Sequence, residues 1–216
     1  MNLLLFFYQK SLLLHTNICE MKKTLIIIAV IAVVILLFYS FFKNTYNTMV
    51  QNGEQVDAQW AQVENVYQRR ADLIPNLVNT VKGYAAHEQE VLTGVIEARA
   101  KATSVNLNAE NLTEANMKAF QQAQEGLSSA LSRLMVVVER YPDLKANQNF
   151  LELQAQLEGT ENRITVERQK FNETTRVYNT YIKSFPQNFL AGMFGFAAKP
   201  YFEAAAGAET APKVEF

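Results

Sequence analysis

The stretch TLIIIAVIAVVILLFYSFF, residues 24–42, carries no charged side chain and is followed by a much longer polar region. An α-helix rises about 1.5 Å per residue, so this run spans roughly the 30 Å hydrocarbon layer of a bilayer. About 170 residues follow it, which is enough for one domain with its own core. The sequence therefore predicts a single-pass membrane anchor over 21–43 that contacts lipid through 24–42, followed by a separate domain.

The charges beside the run indicate its direction. Lys22 and Lys23 precede it directly, whereas Lys43 is the only basic residue after it before Glu54 and Asp57. The positive-inside rule favours a cytoplasmic N-terminus in a bacterial inner membrane and a periplasmic domain, with a cytoplasmic domain as the alternative. A cleaved signal peptide is disfavoured because the apolar core is long and no small-x-small site follows it.

Residues 1–20 are apolar but are interrupted by Lys10 and His15, and Met21 is a more natural start. We expect residues 1–20 to be a non-native or disordered extension. Cys19 is the only cysteine, so an intramolecular disulfide or a cysteine metal cluster is excluded.

The remainder has a helical composition, and the net charge of −1 for the whole chain gives no electrostatic reason to expect a nucleic-acid partner. Apolar residues recur at steps of three and four, which predicts one long helix from Val56 to Val95. Pro75 lies inside this helix and predicts a kink, with a restart near Asp72 as the alternative. The polar segment 103–113 ends the helix, and Asn111 or Thr113 is the candidate cap for the next one.

Two further helices follow, with a connector over 142–149. The apolar positions are Phe120, Leu127, Leu131, Leu134, Val138 and Tyr141 in the second helix, and Phe150, Leu153, Leu157, Ile164, Phe171, Tyr178 and Ile182 in the third. Short connectors make consecutive helices antiparallel. We predict an all-α fold: an elongated antiparallel bundle of three long helices over 44–198, with a short C-terminal segment and a largely disordered tail over 199–216.

Candidate catalytic and metal residues are few. His87-Glu88 resembles the start of an H-E-x-x-H zinc helix, but Val91 stands where the second histidine belongs. The other histidine, His15, precedes the anchor, so neither a di-iron Glu-x-x-His pair nor a hydrolase triad is complete. We predict no enzyme activity, no metal and no cofactor.

Two polar clusters lie beside the apolar positions: Arg69, Arg70, Asp72 and Asn76, and Glu161, Asn162 and Arg163. One interpretation is an interior network that fixes helix register, and the other is a site for an acidic ligand or partner. We predict the interior network, with Asp72 and Arg163 as members.

The C-terminal segment is rich in aromatic residues, including Phe189, Phe194, Phe196, Tyr201 and Phe202. These side chains either cover the bundle or form an exposed patch for a protein partner or the membrane interface.

Two motifs resemble the LemA family. The first is Arg-Arg-x-Asp-Leu-Ile-Pro-Asn-Leu over residues 69–77, and the second is Gly-Thr-Glu-Asn-Arg-Ile over residues 159–164. The resemblance implies a membrane helix, an all-helical domain, no established catalytic activity and, by analogy with relatives in magnetosome membranes, a role in membrane organisation. The family has also been described with its short N-terminus outside the cell, so the topology stays open.

Two classes of function remain. The first is a membrane-anchored, non-catalytic helical scaffold or interaction protein of the cell envelope, with a protein partner or self-association. The second is a binding module for a small apolar or acidic ligand in a groove between helices, near Arg69 or under the aromatic segment. A cavity of several hundred cubic ångströms with convergent polar groups would favour the second class, and a solid core the first.

Overall fold

The computed structural model describes residues 2–105 and 107–203, without the side chains of residues 2–20 and Glu110. Every regular element in these residues is helical, so the all-α prediction is confirmed. The helices are α1 (Asn2–Tyr84), α2 (Gln89–Ser104), α3 (Glu114–Val138), α4 (Pro142–Lys145), α5 (Gln148–Lys183) and α6 (Gln187–Phe194), with a 3-10 turn at Ala109–Asn111. The chain divides into two compact units, Met1–Thr48 and Met49–Phe216.

Unit 1 consists of the N-terminal part of α1. The apolar side chains of residues 21–42 are exposed, with Leu25, Leu36 and Leu37 each 65% accessible. By length and composition, α1 is the one helix among the described residues that could cross a membrane, and its apolar window has no buried residue. The bounds of α1 include residues 2–20, and the expectation that residues 1–20 are a non-native or disordered extension stays a prediction.

Unit 2 is an antiparallel bundle formed by the C-terminal part of α1 together with α2, α3 and α5. Gln59 donates to Glu167 at 2.7 Å, and Asn147 donates to the Tyr84 hydroxyl at 2.9 Å. Residue numbers therefore fall along α5 as they rise along α1, so the two helices run in opposite directions. The 36 residues of α5 extend about 54 Å, so the bundle is elongated as predicted.

The first predicted helix is two helices, which makes four long helices in the bundle instead of three. A turn at Ala85–Glu88 separates α1 from α2. The apolar spacing missed this turn because Leu92 keeps the phase of the preceding positions. Tyr84, predicted on the buried face, is 46% exposed, and Ala85 is buried in its place.

The helix α1 continues through Pro75, as preferred from sequence, and the alternative of a restart near Asp72 does not occur. Proline has no N–H, so the carbonyl of Ala71, four residues earlier, loses its helical donor. Arg99 of α2 supplies the missing hydrogen bond, because its Nε donates to the Ala71 oxygen at 2.7 Å. The proline thus creates an acceptor that ties α1 to α2.

Two of the other helices, α3 and α5, begin at a capping side chain. Thr113, one of the two candidate caps, accepts from the backbone N–H of Asn116 at 3.2 Å and begins α3, whereas Asn111 lies in the 3-10 turn. Asn147 accepts from the N–H of Phe150 at 3.0 Å and begins α5. The predicted connector contains the single-turn helix α4.

The interior of unit 2 consists of two apolar clusters. The first core cluster contains Met49, Trp60, Phe120, Ile164, Phe171, Tyr178, Ile182, Leu190 and Phe202, among others. The second core cluster contains Ile74, Leu77, Val81, Leu92, Leu127, Leu134, Phe150 and Leu157, among others.

Packing in unit 2 extends beyond the predicted domain end at residue 198. Phe202 is 5% exposed and belongs to the first core cluster. The predicted disordered tail over 199–216 is thus packed at its start, and residues 204–216 lie outside the described residues.

Candidate functional site

A buried arginine lies between the two core clusters. Arg70 of α1 is 2% exposed, and its Nη1 donates to Glu161 of α5 at 2.6 Å and to the Ser128 hydroxyl of α3 at 3.0 Å. Its Nη2 donates to the Gln124 side-chain oxygen at 2.5 Å. We call Arg70, Gln124, Ser128 and Glu161 the polar layer. It joins three helices through one guanidinium group.

The positive charge of Arg70 is balanced by the carboxylate of Glu161. Glu161 is 44% exposed, so the ion pair has one buried and one partly hydrated member. The Arg70 guanidinium also lies 5.2 Å from the centre of the Tyr67 ring, within range of a cation–π contact. Burial raises the pKa of Tyr67, which keeps this phenol neutral at physiological pH.

The other members of the predicted network lie on the surface. Arg69, Asp72, Asn76, Asn162 and Arg163 are all exposed. The prediction that Asp72 and Arg163 are interior is therefore wrong. Neighbouring residues on a helix point about 100° apart, so only Arg70 and Glu161 of these two runs face the bundle interior.

Sequence reasoning missed the partners that α3 contributes. Gln124 is 8% exposed and also donates to the Ala102 carbonyl of α2 at 3.3 Å. The only available signal in the sequence was its position three residues before Leu127, on the apolar face of the helix. In the structure, the other glutamines of this helix are more exposed. A neutral side chain there gave no reason to expect a partner for a buried charge.

Residues 196–203, which we call the strap, lie against the helices of unit 2. Two asparagines of α5, seven residues apart, hold the strap in place. Asn172 donates to the Phe202 carbonyl at 3.0 Å and accepts from the Phe202 N–H at 2.8 Å. Asn179 makes the same pair of bonds to Lys199, at 2.8 and 2.9 Å. Each amide thus satisfies both backbone groups of one strap residue, which an irregular segment cannot do for itself.

Side chains complete the attachment of the strap. The Phe202 ring stacks on Trp60 with centroids 5.9 Å apart, and the Arg168 guanidinium lies 4.7 Å from the same ring. Lys199 forms an ion pair with Asp57 of α1. The Tyr178 hydroxyl donates to the Ala197 carbonyl at 3.1 Å, and burial raises the pKa of this tyrosine.

The predicted aromatic patch divides into two groups. Phe202 is core and Phe196 packs partly buried against the first core cluster, so neither belongs to a free surface. Phe189 and Phe194 are 74% and 47% exposed on α6, and Tyr201 is 41% exposed on the strap. Two additional exposed residues, Phe185 and Met193, lie beside Phe189 and were not in the predicted set.

An open groove of about 520 Å³ lies between α3 and α5. Its lining includes Leu131, Met135 and Leu157, and its charged side chains are Glu158 and Glu161. Such a lining repels the acidic ligand considered from sequence. The described residues contain no group of three histidine, cysteine, aspartate or glutamate side chains that could hold a metal ion.

These features define a class: a helical-bundle protein with one candidate membrane-spanning helix. The model of the LemA family matches residues 59–216, so the chain belongs to the LemA family, as its motifs predicted.

The similar proteins include magnetosome proteins and a protein named LemA. The Magnetosome protein MamQ 2 of Paramagnetospirillum magneticum is 30% identical over 175 residues, or 73% of this chain and 64% of the relative. The Magnetosome protein MamQ of Magnetospirillum gryphiswaldense is 29% identical over 174 residues, with the same coverage. Protein LemA of Metamycoplasma hominis is 20% identical over 154 residues, or 71% of this chain and 67% of the relative. The chain spans less than two thirds of the length of the MamQ relatives.

Proposed function

We propose that this chain is a membrane-anchored, non-catalytic scaffold or interaction protein of the bacterial cell envelope. One observation carries the proposal. The apolar side chains of residues 24–42 are exposed in a helix long enough to cross a bilayer, and a soluble protein does not leave such a run in water.

The chemistry of unit 2 supports a structural role. Its buried arginine is paired with Glu161 and hydrogen-bonded to Gln124 and Ser128, so these groups are used within the fold. His87 is exposed in the turn after α1, away from the polar layer in sequence. The relatives named as magnetosome proteins are consistent with a role in a membrane compartment.

The partners follow from this proposal. Residues 24–42 contact lipid, and the faces of the bundle bind another protein or a second copy of the chain. The lysines before the anchor favour a periplasmic unit 2, with the cytoplasm as the alternative.

Cysteine labelling tests both the anchoring and the side of the membrane. The full chain with Cys19→Ser receives one new cysteine, Ala155→Cys on the exposed surface of α5, and intact cells are treated with a membrane-impermeant maleimide. Labelling in intact cells supports a periplasmic unit 2, and labelling only after lysis supports the cytoplasm. Recovery of the unlabelled protein in the soluble fraction after carbonate treatment would contradict the anchoring itself. The Cys19→Ser chain without the new cysteine is the matched control for background labelling.

A ligand-binding module is the second candidate, because the groove between α3 and α5 is large enough for a small molecule. Its acidic rim restricts the ligand to an apolar or cationic compound. Native mass spectrometry of the purified chain tests this candidate. A co-purifying small molecule that Leu131→Trp displaces would support it, and a ligand-free spectrum would count against it.

A further inference from the structure

The short helix α6 presents an apolar surface to solvent. Phe185, Phe189 and Met193 are 79%, 74% and 62% exposed, and Phe194 is 47% exposed. Phe185 and Phe189 pack edge to face with ring centroids 6.5 Å apart. We call these four residues the aromatic face. The opposite side of α6 is anchored in the first core cluster through Leu190 and Ala191, so the aromatic face is held outward by packing.

The aromatic face lies at the end of unit 2 where the chain enters it. Met49, the first residue of unit 2, shares the first core cluster with Leu190 and Ala191 of α6 and with Ile182 near the end of α5. The antiparallel pairing of α1 and α5 gives the same result, because a Cβ added at Gly53 would lie 3.7 Å from the Tyr178 ring. Continuing that register brings the last turn of α5 beside Met49.

Chain length limits the distance from this end to the apolar run. Six residues, 43–48, lie between residue 42 and Met49. Even fully extended, the seven steps from 42 to 49 reach only about 25 Å, so Met49 cannot be further than that from the end of the run. If residues 24–42 span the membrane, the end of unit 2 that carries the aromatic face begins within that distance of the apolar run.

The composition of this segment suits a lipid interface. Between Ser184 and Phe202 the sequence contains no aspartate or glutamate, so nothing in it repels an anionic surface. Lys199, its one basic residue, is paired with Asp57. Insertion would therefore depend on burying apolar side chains at the boundary between headgroups and acyl chains, as other interfacial helices do.

A second copy of the chain is a poorer occupant. The eight residues of α6 extend only about 12 Å. A helix this short is too small to supply the roughly 800 Å² that a stable protein interface buries on each partner. We infer that the aromatic face docks into the lipid interface of the same membrane that holds residues 24–42 and fixes this end of unit 2 against the bilayer. The inference rests on the proposed membrane anchoring.

Site-directed spin labelling of the full chain tests the docking. The Cys19→Ser chain is reconstituted in phosphatidylcholine vesicles with one nitroxide label at Phe189→Cys or Met193→Cys. Collision rates are measured with oxygen, which concentrates in lipid, and with a chelated nickel complex, which stays in water. Val136→Cys is the matched control, because Val136 is also apolar and 70% exposed but lies on α3, beside the second core cluster. Ile31→Cys reports the anchor.

We expect an oxygen-to-nickel ratio severalfold higher at positions 189 and 193 than at 136, with position 31 also favouring oxygen. Equal ratios at 189, 193 and 136, with oxygen preference at 31, would overturn the docking and leave the anchoring intact. Nickel preference at 31 would overturn the anchoring and the docking together. Spin–spin broadening at 189 that persists when the vesicle lipid is increased would assign the face to a second copy and also overturn the proposal.

Discussion

At the scale of single residues, Arg70 is the side chain on which most of the interior polar chemistry depends. Two runs of polar residues beside the apolar positions predicted a buried network, but most of their members are exposed. The prediction succeeded for Arg70 and Glu161 because both lie at positions that face other helices. It failed for Asp72 and Arg163 because adjacency in sequence does not give the same orientation on a helix.

Removal of the Arg70 guanidinium should be costly. Arg70→Met leaves the buried Gln124 oxygen without its donor and Glu161 without its counterion, so we expect the free energy of unfolding to fall by about 2–4 kcal/mol. Urea titration of the helical circular dichroism of the full chain in detergent micelles measures it.

Arg69→Met is the matched control, because Arg69 is the exposed neighbour with the same side chain. We expect it to change the free energy by no more than about 0.5 kcal/mol. Equal effects at positions 69 and 70 would contradict the special position of Arg70.

At the scale of helices, the all-α class and the start of α3 were predictable from the sequence, whereas features that depend on contacts between elements were not. The cap candidate Thr113 predicted the start of α3, and the apolar spacing predicted the third helix from about Phe150, close to the start of α5 at Gln148, because these signals are local. The turn at Ala85–Glu88 escaped detection because the apolar phase continues across it. The strap escaped detection because its attachment depends on Asn172 and Asn179, 20 to 30 residues away in sequence.

The contact between Arg99 and the Ala71 carbonyl should depend on Pro75. Arg99→Leu leaves a buried carbonyl without a donor, which we expect to cost about 1–2 kcal/mol in the parent chain. In a Pro75→Ala background the restored N–H of residue 75 can donate to Ala71, so the same change should cost less. A double-mutant cycle in urea measures this coupling, and strictly additive effects would refute it.

Loss of one asparagine should release the strap locally. Asn172→Ala removes both hydrogen bonds to the Phe202 backbone, and we expect amide exchange at Phe202 to be about tenfold faster, with little change in the α5 interior. Hydrogen-exchange mass spectrometry of peptides covering 196–203 measures it. Gln169→Ala, an exposed site on the same helix, is the control. Unchanged exchange would show that Phe202 packing alone holds the strap.

At the scale of the whole of unit 2, the polar layer interrupts an otherwise apolar interior. The first core cluster includes Tyr67, Phe120 and Ile164, whereas Ile74, Leu127 and Leu157, about two turns away on the same three helices, belong to the second. Arg70 separates the two clusters on α1, as Gln124 does on α3. An unbroken apolar core would permit helices to slide by a turn, whereas a guanidinium with fixed partners on two other helices accepts one register.

The stability cost of this arrangement can be measured by replacing the whole layer. Burial of a charge costs desolvation that its partners only partly return, and the Arg70 Nε has no hydrogen-bond partner in the described part of the chain. We expect the triple variant Arg70→Leu, Gln124→Leu, Glu161→Leu to be at least as stable as the parent in urea, although Arg70→Met alone is destabilised. We also expect broader amide resonances in its NMR spectrum, because the register is no longer fixed. A triple variant as unstable as the sum of its single changes would show that the layer stabilises the bundle, and sharp, parent-like resonances would show that apolar packing alone sets the register.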